Sequence, residues 1–237
     1  MQILINHITR MHGAHICVAG IDLQTGRHVR PVLQQGGMPF DLLARYDGPF
    51  DMARIIDLGQ PRPTPNAPHV EDYVFIASRA RVERTVCPHE FWDVLRKCSA
   101  ARLEEIFGSA LQLVGKERYA TALGQGCVSL GCLRIERPAE LYISERSNRK
   151  PQIRVRFRDG RIQVDAAVTD LRLYLSDHAT PNVQLVLSMA KWLRDSDRAI
   201  LAVGLTRKFR RDDKSPFFHW LQVNNIHLHE DPLWQLD

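Results

Sequence analysis

In Arg154-Val155-Arg156-Phe157-Arg158 every second residue carries a guanidinium. Side chains of an extended strand alternate between its faces, so the three arginines share one side while Val155 and Phe157 take the other. Arg146, Arg149, Lys150 and Arg161 flank them, and seven basic residues against two acidic ones fall between Glu145 and Arg161. A ladder of like charge repels itself unless it is solvated or meets a polyanion such as a phosphate backbone. The same ladder also suits a solvated edge strand, where charge discourages aggregation.

The segment 217–228 offers a second chemistry. On alternation, Phe218, Trp220, Gln222 and Asn224 line one face, and His219, Leu221, Val223 and Asn225 the other. Leu and Val fit a core. The opposite face would then present rings that stack on bases and amides that read base edges or sugars. The competing expectation is that Phe218 and Trp220 pack beneath the helix over 181–194. Arg207, Lys208, Arg210, Arg211 and Lys214 lie in or beside the preceding loop. At the N-terminus Arg10, Arg27 and Arg30 accompany His7, His12, His15 and His28, and fit either nucleic-acid contact or plain surface.

For metals the closest approaches are His12-x-x-His15, Cys87-x-His89, His227-x-His229 and Cys127-x4-Cys132. None supplies two pairs at zinc-finger spacing, and no metal or other cofactor is expected, although ligands assembled from distant segments stay possible. No GxxxxGK[ST], GxGxxG after a strand, GxSxG or HExxH is present, and no catalytic residue is assigned. Asp159, Asp165, Asp170 and Asp177 are spaced like turn and cap residues. Cys17 falls within an expected strand, where a thiol is usually inert.

The elements that must position these groups are mostly strands. Runs at 2–8, 14–23, 27–32, 53–58, 72–77 and 79–85 are short, β-branched and separated by turn residues. The proline-dense stretch 59–69 must be a surface loop. Pro88 opens a helix to Lys97 with Phe91, Trp92 and Leu95 on one face, and Ser99 caps a second helix through Phe107. Residues 109–127 are ambiguous. Strands follow at 128–135, 139–145, 151–158 and 161–168, with a hairpin turn at Asp159-Gly160. A helix over 181–194 and strands at 198–207 and 217–228 complete the chain. Several strands, a helix and more strands occur twice, which predicts a mainly β (α+β) fold of two tandem five-stranded OB-like barrels with inserted helices. The expected division is a first barrel at 1–86, a helical connector at 87–127 and a second barrel at 128–237. His7-Ile-Thr-Arg10 and Gly204-Leu-Thr-Arg207 form a faint internal echo.

Composition agrees with a folded chain: 237 residues, 44% hydrophobic and 25% charged. The net charge of +5 and pI near 9.1 favour an anionic partner. Only Lys97, Lys116, Lys150, Lys191, Lys208 and Lys214 are lysines. The arginine excess suits bidentate phosphate contact, though a GC-rich genome would produce it too. Five scattered cysteines, a polar N-terminus without signal-peptide layout and no run of about 18 apolar residues lead to the expectation of a cytoplasmic protein without membrane contact.

The opening LINHITRMHGAHICVAGIDLQTGRHVRPV and the closing ILAVGLTRKFRRDDKSPFFHWLQVNNIHLHEDPLW resemble a prokaryotic group of dual OB-domain proteins. The more specific pieces are Cys17-Val-Ala-Gly-Ile-Asp22, Arg30-Pro31, Gly204-Leu-Thr-Arg207 and His219-Trp-Leu-Gln-Val-Asn-Asn-Ile-His227. The resemblance implies two tandem OB folds and nucleic-acid binding, with a looser association to bacterial antiviral defence or mobile elements. It carries over no catalytic residue. The 59–69 loop and the helices at 88–107 exceed what a minimal OB barrel needs.

The expectation is therefore a non-enzymatic protein that binds single-stranded RNA or DNA. Its contacts would be Arg10, Arg30, Arg149, Lys150, Arg154, Arg156, Arg158, Arg207, Lys208, Arg210, Arg211, Phe218, Trp220 and Gln222. The alternatives are a protein-docking subunit, suggested by Trp234 in the tail HLHEDPLWQLD, and a metal-dependent nuclease.

Overall fold

The computed structural model describes the chain except residues 12, 14, 136, 137, 147, 148, 197, 211, 212, 214 and 235–237, and the side chains of Arg146 and Arg149. In the first half the strands are β1 (Gln2–Arg10), β2 (His15–Asp22), β3 (His28–Val32), β4 (Met38–Pro39), β5 (Arg54–Asp57), β6 (Arg62–Pro63), β7 (Asp72–Val74) and β8 (Arg81–Thr85). They pair in the order β6-β7-β3-β2-β1-β5-β8, with β4 on β2. β1, β2 and β3 form an antiparallel meander, and β7 joins β3 in parallel, as the last strand of an OB barrel joins its third. Two 3₁₀ turns, Phe40–Leu42 and Ala44–Tyr46, stand where a longer helix could have filled the gap.

After α1 (Pro88–Lys97) come β9 (Ser99–Ala100), α2 (Leu103–Phe107), β10 (Gln112–Leu113), β11 (Tyr119–Ala122), β12 (Leu130–Ile135), β13 (Glu140–Arg146), β14 (Arg149–Asp159), β15 (Ile162–Val168), α3 (Val183–Asp195), β16 (Ala199–Leu205) and β17 (Phe218–Leu228). β13, β14 and β15 form a meander. β17 joins β15 in parallel and β16 antiparallel, and β12 closes on β16. Taking β12 and β13 as one interrupted first strand, this is a complete five-stranded OB barrel with α3 between its third and fourth strands.

Sequence and local structure agree closely at two points. Gly160 takes φ 59° at the first position of the two-residue hairpin turn, where a positive φ is needed and glycine adopts it at little cost. Asn182 caps α3 by accepting from the Leu185 N–H at 3.2 Å. The helix expected over 99–107 is shorter. Ser99 Oγ donates to Arg96 O instead of capping a new helix, and Ser99–Ala100 pairs in parallel with β12. The stretch 87–127 is shared between the two cores. Phe91, Trp92 and Leu95 pack into the first, Leu103 and Phe107 into the second, and β11 pairs with β17.

The two barrels are joined by polar contacts. Asn225 is fully buried; its Oδ1 accepts from Ile8 N at 2.8 Å and its Nδ2 donates to Ile8 O at 3.2 Å. Arg10 N donates to Thr169 O, and the Glu71 carboxylate accepts from Ser129 N, Ser129 Oγ and Leu130 N. Cys132 and Ile200 of the second sheet belong to the first barrel's core. No helix among the described residues is long and apolar enough to cross a membrane.

Candidate nucleic-acid interface

An OB barrel binds oligonucleotides on its second and third strands and on the loops around them. Here those strands are β14 and β15, and 206–217 is the loop between the fourth and fifth. Arg154, Arg156 and Arg158 do share the outward face, since Ile153, Val155 and Phe157 are buried. They are nevertheless not a bare cationic ladder. Arg154 Nε donates to Asp165 Oδ1 at 2.8 Å and its Nη2 to Asp165 O, with the side chain only 9% exposed. Arg156 pairs with Glu140 at 2.9 Å and Glu117 at 3.4 Å and lies over the Tyr142 ring. The reason is cross-strand register. Arg156 faces Glu140 on β13 and Asp165 on β15, so neighbouring strands supply the countercharge that alternation along one strand does not reveal. Arg158 lies beyond the end of β13, is exposed, and has no carboxylate partner among the described residues.

The expected aromatic face survives in altered form. Phe218 and Trp220 are half-buried and meet edge to face, with ring centroids 5.6 Å apart. Trp220 does not lie under α3, whose main strand partner is β13; its indole N–H donates to Phe209 O at 3.1 Å. Gln222 is spent on a hydrogen bond to Asn224. Asn224 does not continue the alternation, because the pairing steps from Ala202–Asn225 to Val203–Val223 and makes it a bulged, buried residue.

The loop before β17 is richer than its sequence suggested. Phe209 and Phe217 are 55% and 43% exposed. Lys208 is exposed and without a carboxylate partner among the described residues, Arg207 pairs with Asp72 at 2.7 Å, and Arg210 pairs with Asp213 and lies over Phe217. Arg211 lies outside the described residues, as does the side chain of Arg149; Lys150 is exposed at the other end of β14. Because β15 runs parallel to β17, the Gly160 turn and the 206–217 loop open at the same end of the barrel. Exposed Arg161 and Arg102 border a cleft of about 340 Å³ beside that turn. Arg102, Arg158 and Arg161 at the turn, where Glu104 and Asp159 also line the cleft, and Lys208, Phe209 and Phe217 in the loop thus lie toward the same end.

One first-half expectation fails. Arg30 is 4% exposed, with Nε on Asp72 at 2.6 Å and Nη2 on Ser129 Oγ, so it closes the inter-barrel contact and is not available to phosphate. Arg10 lies over Tyr174 and donates to Ala179 O. Behind Arg30, His69 and His219 meet edge to face, and burial together with Arg30 and Arg207 drives His69 down to about 2. The tail tryptophan is no docking handle either. Trp234 is 2% exposed, its N–H donates to Ile226 O at 2.8 Å and Arg172 stacks on its ring at 3.8 Å.

One cluster was invisible in the sequence. His7, His28 and Cys132 come from β1, β3 and β12, and one candidate ligand atom from each lies within 4.8 Å of the others. Cys17, by contrast, is a lone thiol that burial pushes up, in line with an inert role.

Comparison with curated proteins returns no match. A family model described as a dual OB-containing domain matches residues 1–226, in accord with the two barrel-forming sheets, and the chain belongs to that dual OB-containing family.

Proposed function

We propose that the protein binds single-stranded nucleic acid, without catalysis, at the end of the second barrel formed by the Gly160 turn and the 206–217 loop. OB domains bind nucleic acids or proteins as a class. The observation that favours nucleic acid is that half-exposed Phe209 and Phe217 lie toward the same end of the barrel as Arg158, Arg161 and Lys208, which lack carboxylate partners among the described residues. Rings stack on unpaired bases of any sequence, and nearby cations take the phosphates between them.

The test is fluorescence anisotropy with labelled single-stranded RNA and DNA across a salt series. Neutralising three phosphates predicts a log–log salt slope of roughly −2, at about −0.7 per phosphate. A Phe209→Ala/Phe217→Ala variant with the wild-type melting temperature should bind at least tenfold more weakly, on the order of 1–3 kcal/mol per lost stack. Undiminished binding by that variant would remove this surface from the assignment. Cleavage of either oligonucleotide with Mg²⁺ or Mn²⁺ would overturn the non-catalytic part.

A further inference from the structure

We propose that Asn6, His7, His28 and Cys132 form a structural zinc site where the two barrels meet. The ligand chemistry fits. Two imidazoles and one thiolate are a zinc donor set, and tetrahedral coordination with Zn–S near 2.3 Å and Zn–N near 2.0–2.1 Å puts sulfur about 3.6 Å from nitrogen. Cys132 Sγ lies 3.7 Å from His28 Nε2. His7 and Cys132 are each 1% exposed, and His28 is half-buried, which leaves one side of the cluster open to a metal.

The cluster also carries unmet demand. His7 Nε2 and Asn6 Oδ1 are buried without a hydrogen-bond partner. Buried polar atoms are nearly always satisfied, and the orphaned imidazole nitrogen of His7 points to a missing partner. His7 Nδ1 is engaged by Asn224 Nδ2 at 3.0 Å, leaving Nε2 as the nitrogen for a metal. With the Asn224 and Gln222 amides turned over, Nδ1–H would donate to Asn224 Oδ1, the arrangement that fixes a metal-binding imidazole. Asn6 Nδ2 lies 3.3 Å from Cys132 Sγ and 3.5 Å from His28 Nε2. A half-turn of its amide puts the oxygen there as fourth donor.

The backbone is shaped for this placement. β1 pairs Ile5 with Gly20 and then His7 with Ala19, so Asn6 is the extra residue of a bulge and both Asn6 and His7 turn inward. The bulge at Asn224 in β17 brings its amide to His7, and a Cβ at nearby Gly204, which pairs with Gln222, would stand 2.6 Å from Asn224 Nδ2. Two bulges, one from each sheet, thus meet at one imidazole. The Cys132 thiol would give up its proton to solvent as the metal binds.

The experiment uses the full chain purified with Zn²⁺ and dialysed, with metal measured by mass spectrometry, then Co²⁺ reconstitution followed by absorption. The expected result is about one zinc per chain and a cobalt form with tetrahedral d–d bands and thiolate charge transfer. Both should vanish in Cys132→Ser and persist in Cys127→Ser, whose thiol is exposed elsewhere. His28→Gln, at a half-buried strand end, supplies a second variant whose fold is checked by circular dichroism. At a zinc excess of roughly a hundredfold over Kd, chelation should lower the unfolding midpoint of the wild type by about 5–10 °C and leave His28→Gln unmoved. Substoichiometric zinc after dialysis, or a cobalt spectrum unchanged by Cys132→Ser, would overturn the site. Neither result bears on oligonucleotide binding, which uses other residues.

Discussion

Asp72 holds the junction between the barrels, and its replacement by Asn gives the sharpest test of how that junction is built. Asp72 accepts from Arg30 Nε at 2.6 Å and from Arg207 Nη2 at 2.7 Å. The Arg30 and Asp72 side chains are 5% and 8% exposed, so this pair is fully desolvated. Removing one member of a buried pair leaves the other charge unpaired in a poor solvent, at a cost of about 3–5 kcal/mol. Asn preserves the volume and one acceptor, which places Asp72→Asn near the lower figure. For a chain of this size, about 3 kcal/mol corresponds to a fall of roughly 6–12 °C in melting temperature. Arg207 is 46% exposed, so its half of the contact is screened by water and contributes no more than about 1 kcal/mol. Thermal and urea unfolding of Asp72→Asn, Arg207→Ala and the double variant separate the two halves. If Arg207→Ala costs as much as Asp72→Asn, or Asp72→Asn costs less than about 1 kcal/mol, the junction does not depend on the buried Arg30 pair and the reasoning fails.

Other outcomes follow from the same geometry. Arg158→Ala should weaken oligonucleotide binding and flatten the salt slope by about 0.7 without loss of stability, measured by anisotropy across a salt series. Arg154→Ala should instead cost about 3 kcal/mol in urea unfolding, because Asp165, 10% exposed, loses its closest partner. Trp234→Ala should cost about 3–5 kcal/mol by the same measurement, since a buried indole and its stacking arginine are both undone. His69 is held uncharged when folded, whereas the unfolded chain takes up a proton near pH 6.5. Stability should therefore fall as pH drops from 6.5 toward 2, with His69 contributing on the order of 1 kcal/mol per pH unit, and His69→Gln should reduce the slope by that share in unfolding measured at several pH values.

Much of the fold was legible because β-strands announce themselves locally. Val155 and Phe157 are buried and the arginines that alternate with them take the other face, as alternation requires. α3 was legible from its cap and its apolar stripe. What alternation along one strand cannot show is what stands on the next. Glu140 and Asp165 neutralise Arg156 and Arg154 because of a register set over the whole sheet. Bulges escape a period-two reading for the same reason. One extra residue at Asn224 changes the phase, so the amide expected on the ligand face lies inside. The tail was misread because its destination, the second barrel's core beneath the Arg172 guanidinium, is distant in sequence. The histidine–cysteine cluster lacked any local signature, with His28 and Cys132 standing 104 positions apart.

The Asn225 clamp has an evolutionary corollary. A bead on a string can be duplicated, lost or grafted into another gene one at a time. Here the second barrel's Asn225 satisfies the Ile8 amide and carbonyl of the first, so either half expressed alone would present raw backbone and severed core at its broken side. The heritable unit is the pair, and gene fusions that retain this domain should retain both barrels together.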